Sequence, residues 1–196
     1  MQLEKFLNKK IILASGSPRR QFLLKDLGLN IEIKTKEVEE VYPEGLSTGS
    51  IAEYLAELKA RAFEPNEIPG DALLITADTI VCDGEEVLQK PKDFDDAVNI
   101  LKQLSGKSHE VISGVCIRSR EKQVSFSAFT KVYFKELSEE EILYYIREYK
   151  PFDKAGAYGI QEWIGYVAIE KIEGSFYNVM GMPIQRLYEE LKKFEE

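Results

Sequence analysis

The segment around residues 11–20, in which a strand stops at a turn of small residues and a helix follows, constrains this chain most. The apolar run at residues 11–14 predicts a buried strand, which Ser15-Gly16-Ser17 breaks. Ser17 is predicted to be the N-cap of the helix, and Pro18 suits its first position, where the missing N–H costs nothing. Gly28 is predicted to end the helix.

The start of this predicted helix carries groups that suit a phosphate. Arg19 and Arg20 follow Pro18, so guanidinium groups, exposed backbone N–H groups and the helix dipole all favour an anion. The glycine spacing fits neither a Walker loop nor a dinucleotide fingerprint. Taken alone, the segment is also compatible with an arginine pair on a solvated helix face.

Composition narrows the classes of partner. The chain has 196 residues and a net charge of -8, which argues against a nucleic-acid polymer or an acidic membrane as the main partner. A nucleotide needs only a local basic cluster. Cys82 and Cys116 are the only cysteines, so no disulfide framework is predicted. The first ten residues lack the apolar core of a signal peptide, and no apolar stretch is long enough to span a membrane. A cytoplasmic enzyme or binding protein is expected.

The rest of the chain predicts a mixed α/β fold. Further strands are predicted at residues 31–35, 71–77 (running straight into 78–82), 87–89, 110–118, 123–135 and 166–172, and helices from Ser50, from Asp93, at 138–149 and at 183–194. Helices and strands alternate early, and hairpins come later. This order predicts a mixed, elongated, twisted sheet flanked by helices, with two lobes around a central cleft.

Acidic residues supply the candidate catalytic and metal-binding groups. Asp78 is predicted where an apolar strand ends, the place where ligands gather in α/β proteins, with Thr79 beside it. A buried carboxylate there needs a cation or a proton as its partner. One of Glu37, Glu39 and Glu40 is predicted to hold a divalent cation together with Asp78. The alternatives are an N-cap or turn aspartate and a solvated acidic loop.

Basic and small residues supply the candidate binding groups. Lys59, Lys90 and Lys92 add local positive charge. The loop at residues 153–161 contains glycines that permit a close approach to a ligand, and Gln161 can both donate and accept at a base edge. Each also has an ordinary structural interpretation. His109, the only histidine, is expected to be structural or at the surface.

Together these motifs resemble the Maf family of nucleoside triphosphate pyrophosphatases over nearly the whole chain. The residues that carry the resemblance are LASGSPRR (13–20), Glu39-Glu40, LAELKARA (55–62), ADTIV (77–81), Lys90-Pro91, LSGKSHEV (104–111) and DKAGAYGIQ (153–161). The segment from Met1 to about Lys9 lies outside this match and has no implied role.

The resemblance implies a fold like that of inosine triphosphatases, in a single domain over residues 1–196, and a plausible homodimer. It implies cleavage between the α and β phosphates, dependent on Mg²⁺ or Mn²⁺, that releases a nucleoside monophosphate and pyrophosphate. Asp78 would be the catalytic acid/base, and Glu40 with Asp78 would hold the metal. The implied substrate-binding residues are Ser15, Arg19, Arg20, Lys59, Thr79, Lys90 and Gln161.

Three of these residues point to a branch of the family. Arg19, Thr79 and Gln161 match the branch that acts on dTTP and UTP, while the ranking of these substrates against CTP and modified pyrimidine nucleotides stays open. Family members have also been linked to inhibition of septum formation, so a regulator that binds a nucleotide without hydrolysing it is the alternative. A transferase using the same phosphate cluster is a third possibility, but the chain has no Walker motif.

Overall fold

The computed structural model describes residues 8–194, which form two compact units. The first contains residues 8–78, Ser113–Ala128 and 181–194, and the second contains Thr79–Ile112 and Phe129–Met180. Most of the N-terminal segment for which no signal peptide is expected, residues 1–7, lies outside the described residues. The single domain and the two lobes around a cleft stay predictions.

The described residues contain one mixed sheet of seven strands. The strands are β1 (Lys10–Leu13), β2 (Asn30–Ile33), β3 (Ala72–Asp83), β4 (Glu86–Leu88), β5 (Ser108–Arg118), β6 (Gln123–Phe134) and β7 (Ile169–Glu173). Their order is β2-β1-β3-β5-β6-β7, and β4 pairs with β3. Strand β1 is parallel to β2 and β3, whereas β3–β4 and β6–β7 are antiparallel. The predicted mixed sheet flanked by helices is confirmed.

Helices connect these strands. They are α1 (Pro18–Asp26), α2 (Thr48–Arg61), α3 (Phe94–Leu104), α4 (Glu139–Tyr149), α5 (Trp163–Val167), α6 (Phe176–Val179) and α7 (Ile184–Phe194). Short 3-10 turns lie at Pro65–Glu67 and Ala155–Ala157. Among residues 8–194, none of the helices has the length and apolarity needed to cross a bilayer.

Two predicted helix starts are confirmed by their capping bonds. The Asp93 carboxylate accepts the backbone N–H of Asp96 at 2.8 Å. Ser138 and Glu141 form a reciprocal capping box, with bonds of 3.2 and 2.8 Å.

Of two other predicted helix starts, one is confirmed and one is wrong. Ser17 is the N-cap residue of α1, as predicted, although its side chain makes no capping bond; its N–H donates to Ser15 Oγ at 3.3 Å. Helix α2 begins before Ser50, because Ser47 Oγ accepts the Ser50 N–H. Since either serine could cap the helix, the local pattern could not separate them.

One predicted strand also begins later than expected. Tyr166 lies in α5, and β7 starts at Ile169. The N–H of Gly165 donates to the Glu162 carbonyl at 2.9 Å, and a Cβ on Gly165 would lie only 1.7 Å from the Ile160 carbonyl oxygen. Glycine therefore permits a tight helical turn where the short apolar run predicted a strand.

Helix α2 packs unusually close to strands of the first unit. Ala56 and Ala60 of α2 belong to a buried cluster with Ile12 and Leu74. The Thr76 hydroxyl donates to the Ala56 carbonyl at 2.6 Å. Gly114 of β5 faces the same helix, and an added Cβ would lie 2.1 Å from the Ala52 carbonyl oxygen. Small residues on both elements thus set the distance between α2 and the sheet.

His109 is part of the buried core of the second unit. Its exposed fraction is 2%, Nε2 lies 2.7 Å from the Tyr158 hydroxyl, and its ring packs edge-on against Phe134 and Tyr158. The surface location is thereby excluded and the structural one confirmed. Burial lowers the pKa of His109 to about 4.

This lowered pKa makes His109 a source of acid sensitivity. Its ordinary value is 6.5, so between pH 6.5 and 4 the unfolded chain binds more protons than the folded protein, and stability falls as the pH falls. Because of His109, we expect the free energy of unfolding to fall by about 3 kcal/mol between pH 7 and pH 4. Urea unfolding of the wild type and His109→Gln at both pH values checks this. Equal losses in the two proteins would contradict it.

Candidate active site

Asp78 lies at the centre of a charged group in the first unit. It sits inside β3, which continues to Asp83, so the predicted position at the end of a strand is wrong, and so is the alternative of an N-cap or turn aspartate. The residue is 8% exposed. The Lys59 ammonium donates to Asp78 Oδ1, which supplies the cation that a buried carboxylate needs.

Lys59 joins a second carboxylate to this group. Its Nζ lies 2.8 Å from Glu40 Oε1, so one ammonium holds two carboxylates. Lys59 lies in the last turn of α2, where a cation also suits the helix dipole. Of the three glutamates in the acidic loop, Glu40 is therefore the one that the fold brings to Asp78.

Arg20 is anchored on the backbone beside this group. Its Nε donates to the Gly181 carbonyl and its Nη1 to the Ala77 carbonyl, both at 2.8 Å. Nη1 also lies 3.3 Å from Ser15 Oγ. Burial lowers the pKa of Arg20, and the charge of Asp78 opposes that shift. The guanidinium therefore lies within electrostatic reach of Asp78, and Arg19 precedes it on the half-buried first turn of α1.

Ser15 is buried within the same arrangement, with an exposed fraction of 8%. Its Oγ accepts from the Ser17 N–H and from Arg20 Nη1, each at 3.3 Å. Because both contacts use the oxygen as an acceptor, the hydroxyl proton can be donated to a ligand.

The other predicted site residues lie in the second unit. Thr79 follows Asp78 in β3 and is half-buried. Lys90 is exposed and precedes the buried Pro91. Gln161 ends the glycine-bearing loop at residues 153–161. Its Oε1 is buried and accepts no hydrogen bond from any group of residues 8–194. That these residues join the charged group of the first unit stays a prediction.

The backbone of Lys92 is fixed, and its side chain is exposed. The backbone N–H donates to Asp96 Oδ2 at 2.9 Å, next to the start of α3. The exposed side chain matches the interpretation of Lys92 as an ordinary solvated lysine.

Sequence reasoning missed the backbone partners of Arg20. The carbonyls of Ala77 and Gly181 hold its guanidinium, and a carbonyl is present at every residue, so no sequence signal could identify these two. It also assigned no role to Lys154, which is 8% exposed. A lysine inside the motif DKAGAYGIQ was the signal that could have found it.

The donor set suits a cation that is bound largely by phosphates. Asp78 and Glu40 reach one ammonium, so both carboxylates can reach one metal ion. No cluster of three or more His, Cys, Asp or Glu side chains that could hold a metal occurs among residues 8–194. Mg²⁺ commonly binds one or two carboxylates together with water and substrate phosphates. The residues therefore fit a metal shared with a substrate, not one enclosed by protein ligands.

Comparison with solved structures gives weak similarities. A HAM1 protein from Coxiella burnetii matches with a TM-score of 0.46 and 12% identity, covering 94% of this chain and 99% of that one. The Ham1 protein of Staphylococcus aureus matches with a TM-score of 0.43 and 14% identity, covering 64% of this chain and 72% of that one.

Comparison of sequences gives much stronger similarities. A protein of Flavobacterium johnsoniae named dTTP/UTP pyrophosphatase is 52% identical over 191 residues, 97% of this chain and 98% of that protein. A protein of Phocaeicola vulgatus with the same name is 55% identical over 192 residues, 97% of this chain and 99% of that protein. The family described as Maf-like protein matches residues 10–194. The chain therefore belongs to the Maf family.

Proposed function

We propose that this protein hydrolyses dTTP and UTP to the nucleoside monophosphate and pyrophosphate. The observation that carries the proposal is the buried carboxylate of Asp78, held by Lys59 with Glu40 on the same ammonium and Arg20 nearby. Relatives that are 52% and 55% identical to this chain bear the name dTTP/UTP pyrophosphatase, which supports both the reaction and the substrates.

In the proposed reaction Asp78 acts as the general base. Water attacks a phosphorus at the α–β linkage, its oxygen forms the new P–O bond, and its proton passes to an Asp78 carboxylate oxygen. The bridging P–O bond breaks and pyrophosphate leaves. A positioned base of this kind typically contributes about 10²–10⁴-fold, and the fixed contact with Lys59 supplies the positioning.

The basic side chains stabilise the charge that grows on the phosphate oxygens. Arg19, Arg20, Lys59 and Lys90 are proposed for this task. Arg20 is held by two backbone carbonyls, so little reorganisation is needed when charge develops, which is the condition for strong electrostatic catalysis. Ser15 is proposed to donate its hydroxyl proton to a phosphate oxygen.

Glu40 and Asp78 are the residues proposed to hold Mg²⁺ or Mn²⁺. When bound, the metal neutralises charge on the triphosphate. Lys59 contacts both carboxylates, so Glu40 and Asp78 would hold the metal beside this ammonium, which is also proposed to contact the substrate phosphates.

Gln161 is proposed to recognise the pyrimidine, together with Thr79. The Watson–Crick edges of uracil and thymine carry an N3–H donor, whereas N3 of cytosine is an acceptor. Gln161 Oε1 is buried without a partner among the described residues, and a buried unpaired acceptor costs about 1–3 kcal/mol. A uracil or thymine N3–H satisfies this oxygen, whereas N3 of cytosine does not, and only the exocyclic amine of cytosine can donate to it.

Pyrophosphate release from a panel of nucleotides tests the proposal. With Mg²⁺ or Mn²⁺ we expect equal amounts of monophosphate and pyrophosphate from UTP and dTTP, much slower release from CTP, and loss of activity with EDTA. Tight nucleotide binding without pyrophosphate release would instead support the non-catalytic regulator. Release of orthophosphate would mean that a different bond is cleaved.

The assembly and location of the enzyme are further parts of this proposal. We propose a homodimer in the cytoplasm that acts on a small nucleotide and not on a nucleic-acid polymer or a membrane. Light scattering coupled to gel filtration tests the dimer, and an apparent mass near 22.4 kDa would contradict it.

A further inference from the structure

We propose that Tyr145 is a positioning residue. It holds residues 159–162, which include Gln161, in place and thereby determines how strongly the protein discriminates uracil from cytosine. The inference rests on the proposed function, because it assumes that Gln161 reads the base. Tyr145 lies on α4, far from the charged group around Asp78 in the sequence. All the residues that carry the inference belong to the second unit.

The Tyr145 hydroxyl holds the segment on both sides of Gln161. It donates to Glu162 Oε2, directly after Gln161. It accepts the backbone N–H of Gly159, two residues before Gln161, at 3.0 Å. Tyr145 is fully buried. One fixed oxygen therefore restrains the backbone before Gln161 and the side chain after it.

A buried lysine completes the restraint. Lys154 Nζ lies 3.3 Å from Glu162 Oε1 and 2.7 Å from Asp153 Oδ1. Both carboxylate oxygens of Glu162 are thus engaged, one by Tyr145 and one by Lys154. Burial, with Glu162 as the next cause, raises the pKa of Tyr145 well above its ordinary value, so the phenol keeps the proton that it donates. Charged groups out of water are retained only with such partners.

The backbone of this segment has little freedom to adjust. Gly156 and Ala157 have φ values of +69° and +58°, and the left-handed conformation is costly for alanine. Val81 packs against Gly156 so closely that an added Cβ would lie 2.9 Å from its Cγ1. A Cβ on Gly159 would lie 2.9 Å from the Glu162 carboxyl carbon. Surrounding contacts therefore determine where Gln161 lies.

Recognition by one acceptor depends on such rigidity. Gln161 Oε1 has no partner among the described residues, so its only gain comes from a base donor that meets it in the correct direction. A displacement of a few tenths of an ångström weakens that bond. Loss of the Tyr145 hydroxyl should therefore affect the choice between UTP and CTP more than the chemistry at phosphorus.

A double-mutant cycle tests this role. The variants are Tyr145→Phe, Gln161→Ala and the double variant, and kcat/KM is measured for UTP and CTP. We expect Tyr145→Phe to lower the UTP/CTP ratio by about tenfold, the usual size for one lost hydrogen bond. When Tyr145→Phe is added to Gln161→Ala, the UTP/CTP ratio should fall no further, because the two residues act through one contact. Glu162→Gln should lower the ratio in the same direction and serves if Tyr145→Phe does not fold.

Tyr149→Phe is the matched control. The Tyr149 ring stacks on Tyr145 at 5.1 Å between centroids, and the residue is 37% exposed. Removing its hydroxyl leaves the stacking intact, so the UTP/CTP ratio should equal that of the wild type.

A binding measurement separates this inference from the proposed reaction. Trp163 is the only tryptophan of the chain, and it lies two residues after Gln161. Its fluorescence can report Kd for the α,β-imido analogues of UTP and CTP, in which the proposed scissile bridge is replaced. If no triphosphate releases pyrophosphate, the proposed function fails, and the ratio of these Kd values still decides the role of Tyr145.

Three results would overturn the inference. The first is an unchanged UTP/CTP ratio in folded Tyr145→Phe. The second is an equal fall in the ratio with and without Gln161, which would indicate a purely structural role. The third is a UTP/CTP ratio in Gln161→Ala that equals that of the wild type, which would also show that Gln161 does not recognise the base.

Discussion

Asp78→Asn is expected to lower the turnover of UTP by about 10²–10⁴-fold while the protein remains folded. Asparagine has nearly the same shape, and its amide oxygen can still accept the hydrogen bond that Lys59 donates to Asp78 Oδ1. It cannot accept a proton from the attacking water. Pyrophosphate release under saturating UTP measures the loss, and circular dichroism checks the fold.

Asp83→Asn is the matched control for this variant. Asp83 ends the same strand, and its carboxylate lies 3.6 Å from Lys107 Nζ and 3.2 Å from Gln103 Nε2. It has no part in the proposed reaction, so its variant should keep the turnover of the wild type. A folded Asp78→Asn protein with near-normal turnover would remove the assignment of Asp78 as the base.

Gly114→Ala is expected to destabilise the protein by about 3 kcal/mol or more, at the upper end of overpacking effects. The added Cβ would lie 2.1 Å from the Ala52 carbonyl oxygen and 2.4 Å from the Glu53 backbone nitrogen. These are backbone atoms of α2, so no side-chain rotation relieves the contact and the helix must move. Urea unfolding measures the loss. Activity should fall as well, because α2 carries Lys59.

Gly70→Ala provides the comparison for Gly114→Ala. A Cβ on Gly70 would meet nothing within 4 Å, so its effect should stay within about 0.5 kcal/mol. If Gly114→Ala were as stable as Gly70→Ala, the close approach of helix α2 and the sheet would not be the restraint described above.

Local patterns predicted much of the fold because their physical causes are local. The helix starts at Asp93 and Ser138 were predictable, since a capping side chain and the N–H that it accepts lie three residues apart. Local patterns failed where the sequence was almost equally compatible with two local structures. Ser47 and Ser50 both offer a cap, and Tyr166 lies in a short apolar run that suits a helix as well as a strand.

Motif order allowed the site residues to be named, but not their contacts. Lys59 and Asp78 are 19 residues apart in the chain, and Arg20 and Gly181 are 161 apart. Nothing in the sequence states that Lys59, among the lysines considered, is the one that reaches Asp78. The close packing of α2 at Gly114 and Thr76 made that choice.

The amino-acid sequence by itself determined the family, the order of the elements and the identity of Asp78, Arg20 and Gln161 as candidates, because short-range propensity and motif spacing carry that information. Only the tertiary structure decided that one ammonium holds Asp78 and Glu40, and that Tyr145 restrains the segment around Gln161. Such contacts depend on distances of a few ångströms between elements that lie far apart along the chain, and packing alone sets those distances.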